Sequence, residues 1–84
     1  MNLQLGDKVR VKTMQELAAL YGKPIQGVYG ATIHVPGGFD FTSNMEHYGR
    51  TVRTIEKNLG YGYRLSGVDG DYIFTDAMVD RVGG

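Results

Sequence analysis

The chain has no cysteine and no tryptophan, only two prolines, and no apolar run longer than Leu17–Tyr21. Each shortage removes something. Without cysteine there is no disulfide framework and no thiolate zinc site, a usage that fits a reducing compartment. The run Leu17–Tyr21 falls far short of the roughly 20 apolar residues that cross a bilayer. The opening MNLQLGDKVRVK carries Asp7, Lys8, Arg10 and Lys12 where a signal peptide would need an apolar stretch. Net charge is absent too: nine Lys and Arg balance nine Asp and Glu, so no broad basic field draws nucleic acid. These exclusions predict a soluble, cytoplasmic protein with no membrane association.

What remains is enough for one small domain, residues 1–84, with a single core and a narrow stability margin. Thirteen glycines, about twice average usage, predict many tight turns between short strands. Charge is unevenly spread: residues 1–65 hold eight Lys and Arg against five Asp and Glu, and residues 66–84 hold one Arg against four Asp, +3 and −3.

KVRVK, Lys8 to Lys12, alternates charged and apolar residues with Val9 and Val11 on one face, which predicts a half-buried strand. TMQELAALYG follows. Thr13 and Glu16 have capping-box spacing, Leu17, Leu20 and Tyr21 fall at helical intervals, and Gly22 supplies an exit, which predicts a helix over 14–21. KPIQGVYGATIHVPGG is a Gly-rich insert at about 23–38, either a hairpin or a long excursion loop. RTVRTIEK reads as a strand whose Val52 and Ile55 face opposite sides, so a bulge is expected. YRLS and DYIF are strands joined across GVDG, whose Asp69-Gly70 pair signals a hairpin. VDRV, Val79 to Val82, is a last strand.

One cassette occurs twice: FTSNM at Phe41–Met45 and FTDAM at Phe74–Met78. Threonine is a good helix N-cap, and Phe and Met four apart land on one side of a single turn. Each cassette is therefore expected to be a capped turn that drives an aromatic ring and a thioether into the core. The order of elements is strand, long excursion, strand, strand, tight hairpin, strand, one turn, strand. It predicts a mainly β fold: a small five-stranded SH3-like barrel with one short helix in the long first loop and 3₁₀ turns at the two cassettes.

The frame GDKVRVKTMQEL, FTSNMEHYGRTVRTI, YRLSG and DYIFTDAM also resembles a class of small SH3-like proteins of bacteriophages and prophages. It shares their Gly-Asp-x-Val-x-Val opening, the aromatic-x-x-x-Met followed by Tyr-x-Gly, and the Tyr-x-aromatic-Thr/Ser-x-x-Met ending. The match covers residues 6–17 and 39–82. Phe74 stands where tryptophan is common in that class, and the 23–38 insert is longer and richer in glycine. The resemblance implies a phage or prophage origin and a small non-enzymatic role, and it names no partner.

Motifs for chemistry fail one by one. ALYG at Ala19–Gly22 echoes a peptide-binding SH3 motif, but it lies within the expected helix and no tryptophan exists to complete a proline groove. GYGYRL echoes an RNA-binding aromatic strand, yet Leu59 stands where a basic residue is needed. Leu65 likewise replaces the third glycine of a dinucleotide fingerprint. The DGD of Asp69–Asp71 lacks the further ligands of a calcium loop, and neither Ser43 nor Ser66 sits in a nucleophile motif. No enzyme, no cofactor and no metal site is expected.

Binding candidates are the residues in or beside loops. Tyr21, Tyr29, Tyr48 and Tyr61 offer contact area at low entropic cost. Arg50, Arg53 and Arg64 lie near them in sequence, and His34 and His47 complete the set. Two partners follow. A protein of the host cell, bound to blunt a defence or regulatory complex, is the favoured reading. The other is a nucleotide signal, stacked on tyrosine and held by guanidinium on phosphate, in an oligomeric sponge. A small nucleic-acid-binding barrel is a third reading, with loss of affinity in rising salt as its signature.

Overall fold

The structure, a computed structural model, describes residues 3–28, 30–70 and 72–83. β1 (Lys8–Val11) buries Val9 and Val11 completely. It is a central strand, paired antiparallel on one side with β5 (Val52–Asn58) and on the other with β7 (Val79–Arg81). β6 (Tyr63–Leu65) extends the sheet beyond β5, giving the order β6-β5-β1-β7. Past β6, Tyr63 and Phe74 form an antiparallel bridge, each donating its N–H to the other's carbonyl at 2.8 and 3.0 Å.

A second sheet, β2-β3-β4, is built from Ile25–Gly27, Gly30–His34 and Asp40–Thr42. The insert is thus a β-hairpin, with Ile25 opposite Thr32 and Gly27 opposite Gly30. Its third strand brings Phe41 opposite Ile33, and both are buried. The fold is mainly β with two antiparallel sheets, and among the described residues neither sheet closes into a barrel.

Between β1 and β2 lies α1 (Met14–Tyr21), started by the expected capping box. Glu16 N–H donates to Thr13 Oγ1 at 3.1 Å, and Thr13 N–H donates to Glu16 Oε1 at 3.0 Å. Arg10 clamps the same carboxylate with two bonds of 2.8 and 3.2 Å. Arg10 first, then the Thr13 amide, hold the Glu16 carboxyl down at about 2 against an ordinary 4.5. A carboxyl lowered by folding stabilises the native state above its unfolded pKa and loses that contribution as pH falls. Unfolding midpoints should therefore decline between about pH 4.5 and pH 2, and Glu16→Gln should flatten that part of the profile in urea melts taken across pH. An unchanged slope in the variant would assign the acid loss to other carboxylates.

The helix turns a different face inward than its Leu17–Leu20–Tyr21 spacing predicts. Met14 and Leu17 are buried and Ala18 packs against the core, whereas Leu20 and Tyr21 are exposed. Met14, Leu17 and Ala18 also stand at i, i+3, i+4, and this second apolar stripe is the one that meets the core.

The two cassettes deliver their side chains as expected: Phe41, Met45, Phe74 and Met78 are all buried. The turns themselves differ from expectation. The first is α-helical, α2 (Ser43–Glu46), and only the second is a 3₁₀ turn, Asp76–Met78. Neither Thr42 nor Thr75 makes a side-chain cap bond. At Thr75 the reason is local: the Met78 N–H that its hydroxyl would accept already donates to the Thr75 carbonyl at 3.0 Å. Among the described residues the buried Thr75 hydroxyl finds no hydrogen-bond partner. An unsatisfied buried hydroxyl costs of order 1 kcal/mol or more, so Thr75→Val should raise the urea midpoint by an amount equivalent to about 1 kcal/mol. A fall would show that the hydroxyl has a partner in solution.

The β5 bulge appears between Ile55 and Lys57, with Ile55 buried and Val52 exposed. β7 ends at Arg81, one residue short of the expected strand. Of the expected strand DYIF, only Phe74 pairs, Tyr72 and Ile73 are not in a strand, and Asp71 lies outside the described residues.

Candidate functional site

The turn between β5 and β6 is closed by Leu59 N–H donating to the Gly62 carbonyl, and by Gly60 N–H donating to Asn58 Oδ1. This presents Tyr61 at the tip, where its ring stacks on Phe39 with centroids 5.4 Å apart and planes inclined by 23°. Gly62 follows because nothing larger fits: a Cβ there would lie 2.3 Å from Ile73 Cγ2 and 3.2 Å from the Phe74 carbonyl. The next residue, Tyr63, lines the same hollow as Asp76. Burial, and then the neighbouring Asp76, push the Tyr63 phenol above its ordinary value.

Tyr61, Tyr63 and Asp76 line a pocket of about 320 Å³. Tyr21, the last residue of α1, joins them, with Pro36, Gly37 and Thr75 behind. Gly37 has φ +109°, and a Cβ on it would stand 3.3 Å from the Thr75 methyl. A second pocket, about 330 Å³, lies among Phe39, Asp40, Met45, Tyr72 and Ile73. The stacked pair links the two, since Tyr61 lines the first and Phe39 the second.

The sequence candidates do not converge on one place. Tyr21 and Tyr61 share the first pocket. Tyr48 is a core residue, 8% exposed, whose hydroxyl accepts the Asp69 N–H at 3.1 Å. Arg53 lies over the Tyr48 ring at 5.2 Å from its centroid, and His47 meets the same ring edge-on. The Arg53 guanidinium is engaged there: Nε donates to Thr51 Oγ1 and one terminal nitrogen donates to the carbonyls of Ser66 and Gly67. Arg50 is exposed in the turn before β5 at φ 69°. Arg64 lines a separate small hollow beside Glu56 and Tyr72. His34 is exposed and pairs across β3–β4 with Asp40, Nδ1 to Oδ1 at 2.6 Å. Tyr29 lies outside the described residues.

Asp76 and Tyr63 are pocket residues that the sequence does not offer as binding candidates, since Asp76 belongs to the second cassette and Tyr63 to an expected strand. The usable signal was the hairpin across Asp69-Gly70, which returns the chain so that residue 74 meets residue 63 and residue 76 follows within reach. Among the described residues no group of three His, Asp or Glu side chains could hold a metal ion, and no helix is long and apolar enough to cross a membrane. Comparison with protein-family models, with curated proteins and with solved structures found no match.

Proposed function

We propose that this chain is a non-catalytic binding protein of the SH3-like phage type, which docks on a protein of the host cell and so inhibits a defence or regulatory complex. The linear order β7-β1-β5-β6, continued by the Phe74 bridge, supports an SH3-like ancestry, with the last barrel strand reduced to one bridge. The observation that carries the docking reading is a concentration of oily surface. Of the eight large hydrophobic residues exposed among those described, four fall within 20–28: Leu20, Tyr21, Ile25 and Val28. Val28, at the hairpin tip, is 93% exposed. Beside them β2 is an edge strand whose one described partner is β3. An unpaired edge flanked by apolar side chains fits an extended apolar segment of a partner, added as a fourth strand.

A nucleotide sponge is supported less well. The aromatic pocket has no arginine or lysine among its described lining residues to meet a phosphate, and Arg53 is occupied by carbonyls.

Leu20→Asp with Val28→Asp tests the docking reading, because both side chains are exposed and the fold should survive. The native chain should retain one stoichiometric host protein from bacterial lysate, and the double variant, equal in melting temperature, should lose it. Native mass spectrometry supplies the contrary outcomes. A stable homo-oligomer dispersed by the same two changes would give this surface to a second copy of the chain. Absence of any stoichiometric partner would remove the docking reading.

A further inference from the structure

We infer that the pocket between Tyr21, Tyr61 and Tyr63 binds a small organic cation of the substituted-ammonium class, with Asp76 as its counter-charge. This inference shares Tyr21 with the docking segment but rests on different chemistry.

Three features select the ligand class. First, three tyrosines converge on one hollow of about 320 Å³, at the lower end of the roughly 300–1,000 Å³ usual for small-ligand sites. Aromatic rings attract cations through their negative faces, and several rings together favour a bulky, weakly hydrated ammonium over a compact metal ion. Second, the charged group in the lining is a carboxylate. Among the described lining residues there is no Lys, Arg or His, and the stretch 66–84 that supplies Asp76 carries net charge −3. An anionic ligand would meet repulsion without compensation, so phosphates and carboxylates are disfavoured.

Third, the walls are fixed in place. Asp76 opens the 3₁₀ turn Asp76–Met78, which holds its backbone, and a wall that is already ordered loses less freedom on binding. Tyr61 is fixed in turn by stacking on Phe39. Pro36, Gly37 and Thr75 complete the lining, and with no side chain at position 37 the hollow keeps room for bulky alkyl groups on nitrogen.

Choline, titrated into the whole chain and followed by amide NMR shifts, is the probe. Shifts should concentrate at Gly60, Gly62 and Ala77, whose backbone lines the pocket. The uncharged all-carbon isostere of choline, dimethylbutanol, should shift them far less. Asp76→Asn should weaken choline binding about tenfold while leaving the melting temperature unchanged. Tyr61→Phe should keep binding, and Tyr61→Ala should lose most of it. The inference is overturned if choline leaves those amides unmoved, or if dimethylbutanol binds as well as choline, which would make the hollow merely apolar. It is equally overturned if adenosine monophosphate binds more tightly than choline at the same amides, which would return the site to nucleotides. Because the probe is supplied pure, failure here leaves the host-protein reading standing, and failure of the pull-down leaves this one standing.

Discussion

Phe74→Ala should destabilise the chain by about 3–5 kcal/mol, a large part of the roughly 5–15 kcal/mol that separates folded from unfolded small domains. The residue is 0% exposed. Its ring packs edge-on against Tyr48 with centroids 6.5 Å apart, and its backbone forms the bridge to Tyr63. Truncation removes the ring and leaves a void beneath the strand that the bridge holds in place. The sheet's last contact is then supported by two hydrogen bonds and little packing. The measurement is an equilibrium urea melt followed by tyrosine fluorescence, with Phe74→Leu as the partial rescue. A loss below about 1 kcal/mol would mean that the side chain is not in the core. The same argument applies to Phe41 in the second sheet, also 0% exposed. Both losses together should leave no cooperative transition.

Arg53→Ala should cost about 2 kcal/mol, an unusual figure for a surface-side arginine. The side chain ties the start of β5 to the turn after β6. It bonds Thr51 Oγ1 at 3.0 Å just before its own strand and the carbonyls of Ser66 and Gly67 at 3.3 and 3.2 Å beyond β6, and it covers the Tyr48 ring. Tyr48 reinforces the same turn by accepting the Asp69 N–H. Removing the guanidinium leaves carbonyls to find water and uncovers an aromatic face. Lysine restores the charge without the planar fork, so Arg53→Lys should recover less than half of the loss. Urea melts of the two variants decide it. If Arg53→Ala melted like the native chain, the guanidinium would be free to serve a ligand, and the phosphate-holding role expected from sequence would return.

The sequence was readable where one residue's chemistry decides one local outcome. Thr13 and Glu16 announce a helix start because their side chains are complementary at that spacing, and the cap forms as expected. Val9 and Val11 announce a buried face because strand side chains alternate. The buried Phe and Met of both cassettes are expected from helical spacing, but Phe41 is placed by β4 and Phe74 by its bridge, and only Met45 and Met78 lie in the turns. Legibility fails where neighbours compete. Thr75 has every credential of a cap, but a three-residue 3₁₀ turn takes its acceptor's donor first. The face of α1 was ambiguous because Met14, Leu17 and Ala18 offer an apolar stripe as good as Leu17, Leu20 and Tyr21, and only the sheets beneath could choose. Tyr48 lies in a turn next to glycine, a usual setting for exposure, yet Arg53 and the 66–69 turn close over it. The pocket was hidden for a related reason: its tyrosines and Asp76 come from three distant stretches, and nothing in their spacing shows that they meet.

The central place of β1 has a bearing on when this protein can exist as a folded object. Val9 lies opposite Arg81, and Arg81 also ion-pairs with Asp7 at 2.9 Å. A ribosome emitting the chain must release residues 79–81 before β1 can gain its second neighbour. Until then one long edge of the nascent sheet is bare and the Val9–Val11 strand is half-paired. Completion of the four-stranded sheet is thus governed by closure of a very large loop and not by stepwise growth along the chain.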